Sequence, residues 1–346
     1  MKELQPVKEV AHNLLISQNA VVSNPWHKLV GCEQPTAQIF SIMLSRTLFL
    51  WITFVFLTTG LSSCFRSWRK NDRDIREHYA NRPVKPTFYT IQNDSLKLFA
   101  ATTGADTLPP LLLIHGAPGA WYGYLNMVDD SLLQSRFHII AIDRLGYNHS
   151  SLRKKRFVTS IETQAKAAML ALSLNHSKQK AVLLGRSFGA PIAAQMAILY
   201  PNAFSQLVML APAIDPTKEK FWWFSKPAKW WIVRMWLPRR LNVATFEKFA
   251  HAKELEKLRP QWQKLQVPTT VVQGGKDWIV DPTNLDFARQ QLAGKLVQFI
   301  FLPEAGHLIS YSHPDLVRKL VLSPASAIGT AAAASTSQGG GQEEHK

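Results

Sequence analysis

A chain of 346 residues with 46% apolar content is long enough to bury a large α/β core, and its two cysteines, Cys32 and Cys64, exclude a disulfide framework as the stabilising device. The formal net charge of +16 sits within residues 65–322, because Lys2, Lys8 and Lys28 balance Glu3, Glu9 and Glu33, and Arg46 offsets the acidic tail. A surface of that sign favours anionic partners such as phospholipid headgroups, acidic substrates or nucleic acid.

The first informative stretch is the uncharged apolar run 47–61. As a helix its roughly 15 residues reach only ~22 Å, short of the ~30 Å hydrocarbon core of a bilayer, so it fits the apolar segment of a secretory signal better than a span. Met43-Leu44-Ser45-Arg46 precedes it as an alternative start with a basic residue, and Leu61-Ser62-Ser63-Cys64 follows it. That ending resembles the lipobox of bacterial lipoprotein signal peptides. The resemblance implies a signal peptide at 43–63, an over-extended upstream segment at 1–42, and Cys64 as the lipidated first residue of a lipoprotein anchored in the cell envelope. Two competitors are an uncleaved single-span anchor and a buried apolar segment whose cysteine is incidental. Arg66, Arg69 and Lys70 directly after the cysteine oppose export and favour retention on the cytoplasmic side.

Residues 64–85 read as a linker, and from 86 to 322 strand-like apolar runs alternate with amphipathic segments, the pattern of an α/β fold with a mainly parallel sheet. Strands are predicted at 88–92, 96–101, 111–115, 137–142, 180–185, 206–210, 269–273 and 296–301. Helices are predicted at 121–133, 161–174, 190–200, 282–292 and 314–322. Core segments 86–215 and 269–322 flank an insert, 216–268, with twelve Lys/Arg against four Glu and six tryptophans. Pro227 and Pro238 divide the insert, while Phe246, Phe249, Leu255 and Leu258 mark an amphipathic helix near its end. It reads as a helical cap over a catalytic mouth. Half or more of its tryptophans are expected to pack cap onto body. Trp222, Trp223, Trp230 and Trp231 are the candidates to line a substrate pocket, with other rings and their Lys/Arg neighbours at a lipid surface. The Ala/Ser/Thr/Gly-rich tail 323–346 is expected to be disordered.

The chemistry is carried by Gly185-Arg186-Ser187-Phe188-Gly189, a G-x-S-x-G pentapeptide between a predicted strand and a predicted helix. A sharp strand-to-helix turn exposes its central residue and crowds the positions two before and two after, which glycine satisfies. Ser187 is therefore the candidate nucleophile. A serine hydroxyl needs a base and a group that orients the base. Asp277 follows a strand in Gln273-Gly274-Gly275-Lys276-Asp277, and His307 follows the next in Glu304-Ala305-Gly306-His307. Asp281 competes with Asp277, which lies nearer the strand end, and His313 competes with His307 but precedes Pro314. The Phe188 amide, and the Ala117 amide in His115-Gly116-Ala117-Pro118-Gly119, are the candidate donors to an oxyanion. His115 reads as an organiser of its loop.

With these motifs the chain resembles the serine-dependent α/β-hydrolase superfamily, esterase- and lipase-like with a helical cap. The match covers an H-G-x-P-G loop, the G-x-S-x-G elbow, a G-x-x-D acid and a G-H base. Asp143-Arg144-Leu145-Gly146-Tyr147-Asn148-His149-Ser150 is similar to the superfamily's D-R-x-G-x-x-x-S turn, which implies a structural role near the mouth. The resemblance implies an eight-stranded, mainly parallel sheet and cleavage of a carboxylic ester, or another acyl or carbon–carbon bond, with no metal or organic cofactor. It implies a small-molecule or lipid ester substrate, with the membrane reached through the lipid anchor and the basic cap. Epoxide hydrolases and haloalkane dehalogenases of the superfamily carry aspartate where Ser187 stands, which argues against them here. A non-catalytic binding protein on the same scaffold is the reading of another class. Nucleic-acid binding rests on charge alone and has no recognition motif behind it.

Overall fold

A computed structural model describes residues 72–153, 157–221, 223 and 225–323. Cys64, the lipobox segment, Trp222 and the tail from 324 onward lie outside the described residues.

The described chain opens with helix α1 (Asp72–Tyr79), within the stretch read above as linker. Six of its eight residues are charged or histidine, which hides it from a hydrophobic pattern search. Ile75 and Tyr79, four apart, both enter the core, and the Tyr79 hydroxyl donates to Asp129 at 2.6 Å. Tertiary contacts of this kind hold a helix whose local sequence carries only two apolar residues.

Among the described residues nine strands form one sheet, one more than the eight expected, the addition being a two-residue strand at Ser151–Leu152. In chain order they are β1 (Thr87–Gln92), β2 (Leu96–Thr103), β3 (Pro110–Ile114), β4 (His138–Ile142), β5 (Ser151–Leu152), β6 (Ala181–Arg186), β7 (Phe204–Leu210), β8 (Thr269–Gly274) and β9 (Val297–Leu302). The order across the sheet is β1-β2-β4-β3-β6-β7-β8-β9, with the short β5 paired to β2. β1, β2 and β5 are antiparallel to their neighbours and the rest run parallel. Parallel strands are covered on both faces, so they read as continuous apolar runs. Leu112, Ile114 and Leu183 face one core layer, while Leu111, Leu113, Val182 and Leu184 face the other. Each such buried side chain contributes about 1.5–3 kcal/mol relative to exposure.

Besides the unexpected α1 and the short Ile309–Ser312 helix, one expected helix is broken into pieces. The helix expected over 121–133 is a 3₁₀ turn (Trp121–Tyr124), α2 (Leu125–Val128) and α3 (Ser131–Gln134). Asp130 breaks it, because its carboxylate accepts the Leu132 and Leu133 amides at 3.0 Å and starts a new helix instead of continuing the old one. Next come α4 (Ile161–Met169), prolonged by a 3₁₀ turn to Leu174, and α5 (Gly189–Leu199).

The insert 216–268 contains α6 (Trp231–Trp236) and α7 (Arg239–Leu258), with 3₁₀ turns at Pro216–Lys218, Pro227–Lys229 and Arg259–Lys264. Pro227 begins a 3₁₀ turn and Pro238 caps α7, so each proline starts an element. The chain closes with α8 (Asn284–Gln291), α9 (Ile309–Ser312) and α10 (Pro314–Leu322). Among the described residues no helix is long and apolar enough to cross a membrane.

Candidate active site

Ser187 stands where β6 turns into α5, with φ of 54°. That is the left-handed region, which a residue with a Cβ occupies only under constraint. The flanking glycines supply it: a Cβ on Gly185 would lie 2.5 Å from the Gly189 carbonyl oxygen, and one on Gly189 would lie 2.3 Å from that of Ile114. The small residues expected on either side of the serine are thus required by backbone approach. The elbow backbone is pinned by the Ser187 amide donating to the Leu210 carbonyl at 2.9 Å.

Asp277 follows β8 and His307 follows β9. Parallel strands β3, β6, β8 and β9 all end on the same edge of the sheet, so the loops bearing Ala117, Ser187, Asp277 and His307 issue from that edge. His307 Nδ1 lies 2.8 Å from Asp277 Oδ2. The other Asp277 oxygen accepts the Ile279 and Val280 amides at 2.9 Å, and Gln273 Nε2 donates to Oδ2 at 3.3 Å. With Nδ1 donating to the carboxylate, the ring's lone pair is on Nε2. The two competitors are occupied elsewhere. Asp281 binds Thr283 and Lys220, and His313 pairs with the Ser312 hydroxyl ahead of α10. Neither the Ala117 nor the Phe188 amide has an acceptor among the described residues.

His115 is fully buried between two loops. Its Nδ1–H donates to the Gly116 carbonyl at 2.7 Å and its Nε2 accepts the Arg144 amide at 3.0 Å. Burial, and then the Arg144 charge, holds its pKa well below 6.5, so it organises the loop as a neutral ring. The turn 143–150 is structural in the same way. Asp143 accepts the Trp121 amide at 3.0 Å, and Gln164 brackets Leu145 by accepting its amide and donating to its carbonyl.

Three features escaped the sequence. Arg186, beside the nucleophile, donates to Ser310 Oγ at 3.0 Å and lies over the Tyr124 and Tyr311 rings, tying the elbow to the segment that follows His307. Glu247 of α7 reaches from the insert into the body, where Arg144 binds it bidentately at 2.6 and 3.0 Å. His251, one turn on, stacks on the Phe188 ring with centroids 3.9 Å apart and donates to the Ala213 carbonyl at 3.0 Å. The available signal was Glu247 and His251 sharing a helical face with Val243, Leu255 and Leu258, since polar groups on an apolar stripe need partners.

The tryptophans correct an expectation. Trp223, Trp230 and Trp231 are 85%, 64% and 69% exposed, so the structure does not bring them into a pocket over Ser187. Among the described tryptophans of the insert only Trp262 is fully buried, so packing of cap onto body falls to α7 and Trp262 and not to the majority of the rings.

Burial also lowers the His251 pKa below 6.5, against the opposing charge of Glu219. Two histidines held neutral in the fold are protonated first in the unfolded chain, so stability is complete above about pH 6.5 and is lost as pH falls below it. Thermal unfolding followed from about pH 7 to pH 5 is expected to show that loss. His251→Gln, which does not titrate, is expected to shallow the slope.

A family profile for the α/β hydrolase fold matches residues 109–255. Among curated proteins, mouse Epoxide hydrolase 3 is 24% identical over 275 residues, 65% of this chain and 72% of that protein. A probable 1-acylglycerol-3-phosphate O-acyltransferase of Oryza sativa subsp. japonica is 31% identical over 138 residues, 36% of this chain and 31% of that protein. Among solved structures, a membrane phospholipase A described as a bacterial virulence factor superposes with a TM-score of 0.53 at 19% identity, covering 81% of this chain and 96% of the other. Sheet order, elbow and the match over 109–255 agree: the chain has the α/β-hydrolase fold.

Proposed function

We propose that the protein is a serine hydrolase that cleaves a carboxylic ester through an acyl-enzyme intermediate. The observation that carries this reading is the His307–Asp277 pair on the sheet edge from which Ser187 is presented in a left-handed turn. Ser187 Oγ attacks the ester carbonyl while His307 Nε2 takes its proton. Asp277 holds the ring by Nδ1–H and stabilises its cationic form. The Ala117 and Phe188 amides receive the negative oxygen, each contributing about 2.7–4 kcal/mol to the transition state. His307 then returns the proton to the departing alcohol, and water repeats the sequence to release the acid.

Serine at the elbow supports acyl chemistry over epoxide opening, although epoxide hydrolases are among the relatives. A chromogenic acyl-ester series given to the full chain in detergent is expected to show turnover, with the acyl adduct found on Ser187 by mass spectrometry after acid quench. Opening of an epoxide with no ester turnover would overturn the assignment.

Membrane tethering through Cys64 belongs to the same proposal and is supported by the apolar run that ends in Leu61-Ser62-Ser63-Cys64. Intact-mass measurement of membrane-extracted protein is expected to give a diacylglyceryl-modified chain beginning at Cys64. A chain that retains Met1 or Met43 would refute it.

A further inference from the structure

The short helix α6 turns its residues the wrong way for a water-facing element. Trp231, Ile232, Met235 and Trp236 form one face, related by steps of four, and they are 69%, 57%, 72% and 85% exposed. The other face carries Arg234, whose guanidinium is turned inward over the Phe246 ring at 4.5 Å and the Phe157 ring at 5.5 Å. The cation is thus sheltered and the large apolar groups are outside. Trp230 adds a further exposed ring just before the helix. Scattered exposed apolar residues need no explanation, but a contiguous face of this kind marks an interaction surface.

Charge around the face selects the occupant. Residues 218–240 hold Lys218, Lys220, Lys226, Lys229, Arg234, Arg239 and Arg240 against the single acid Glu219. Lys226 and Arg239 flank α6 on either side and have no acidic partner among the described residues. Tryptophan with lysine and arginine around an apolar face is the composition of an element lying in the headgroup zone of an anionic bilayer, where indoles sit at the polar boundary and cations meet lipid phosphates.

The face is also placed to serve the site. Asn242 of α7 donates to the Arg234 and Leu237 carbonyls at 2.9 and 3.0 Å, which fixes α6 to the start of α7. Farther along α7, Glu247 and His251 reach Arg144 and Phe188. Arg239 to Glu247 is eight residues, about 12 Å of helical rise, so the end of α7 nearest α6 and the residue that binds Arg144 lie about two turns apart on one helix.

We propose that α6 and its flanking cations dock the protein on an anionic phospholipid surface and bring the mouth of the site to lipid esters in that bilayer. The docking stands on the patch alone, and its substrate class rests on the ester-hydrolase reading above.

Hydroxyl-radical labelling of the full chain reads the docking locally, so a separate membrane attachment by the amino-terminal run does not obscure it. With phosphatidylglycerol vesicles, oxidation of Trp231, Met235 and Trp236 is expected to fall about fivefold or more relative to detergent, with a weaker effect on phosphatidylcholine and partial reversal at about 0.5 M salt. Tyr89, exposed on edge strand β1, is expected to keep its rate. Unchanged oxidation of the three residues in vesicle-bound protein overturns the proposal. So does protection that appears without vesicles and grows with protein concentration, since a second copy would then cover the face. In the activity arm, a chain carrying Ile232→Ser, Met235→Ser and Trp236→Ser is expected to lose about tenfold or more on a lipid ester in phosphatidylglycerol vesicles, and to match the parent on a water-soluble short-chain ester. Equal loss on both substrates counts against docking, whereas absence of turnover by the parent chain on either overturns the hydrolase reading and leaves the labelling result standing.

Discussion

Ser187→Ala is expected to lower kcat on an acyl ester by about 10⁴- to 10⁶-fold while leaving the unfolding free energy within about 1 kcal/mol of the parent. Alanine keeps the Cβ that the left-handed turn already accommodates, and the Ser187 amide still donates to the Leu210 carbonyl, so the elbow has no reason to rearrange. What is lost is the atom that attacks. The remaining rate comes from substrate binding and from the Ala117 and Phe188 amides, which still favour a tetrahedral oxyanion formed by water. Steady-state kinetics and a thermal melt on the same preparation measure both quantities. A variant that retains a tenth of parental turnover would place the nucleophile elsewhere.

Glu247→Ala is expected to destabilise the chain by about 3–5 kcal/mol, because it leaves the Arg144 guanidinium buried without its counter-charge. Arg144 is 1% exposed, and Glu247 also accepts from the Tyr147 hydroxyl and Gln164 Nε2. Burial and then the carboxylate push the Tyr147 pKa well above its ordinary value, so that hydroxyl remains a donor throughout the neutral range. Arg144 further donates to the Gly116 carbonyl at 3.0 Å, the residue before Ala117, so loosening it reaches the candidate oxyanion loop. Stability and turnover are therefore expected to fall together. Urea unfolding with a constant slope and ester kinetics test this, and Glu247→Gln, which keeps the shape without the charge, is expected to fall between. Should Glu247→Ala not fold, Glu247→Gln carries the test; parental stability in that variant would show that the ion pair does not clamp the insert to the body.

Legibility varied from element to element for physical reasons. β3, β6 and β8 were readable because strands covered on both faces are unbroken apolar runs, and their ends located the loops of Ala117, Ser187 and Asp277. α10 was readable from Pro314 and its amphipathic spacing. α1 was not, since Ile75 and Tyr79 signal a helix only once a core exists to receive them. The break at Asp130 was missed because an N-cap competes with helix continuation, and the winner depends on where the following Leu133 packs.

For the site, residue type and order along the chain were enough to nominate Ser187, Asp277 and His307, because an elbow serine needs glycines at fixed offsets and its partners follow particular strands. Nearness to the strand end favours Asp277 over Asp281 in the sequence, whereas the 2.8 Å approach of Asp277 to His307 and the turn of Asp281 onto Thr283 are contacts of the folded chain alone. Arg186 to Ser310 and Arg144 to Glu247 join positions 124 and 103 residues apart, and no local pattern encodes such pairs. The same holds for the tryptophans of the insert. Their number and basic neighbours were written in the sequence, but whether a ring lines a pocket or faces outward depends on how α6 is rotated about its axis. That rotation is set by Arg234 seated on Phe157 and Phe246, a contact only the folded chain makes.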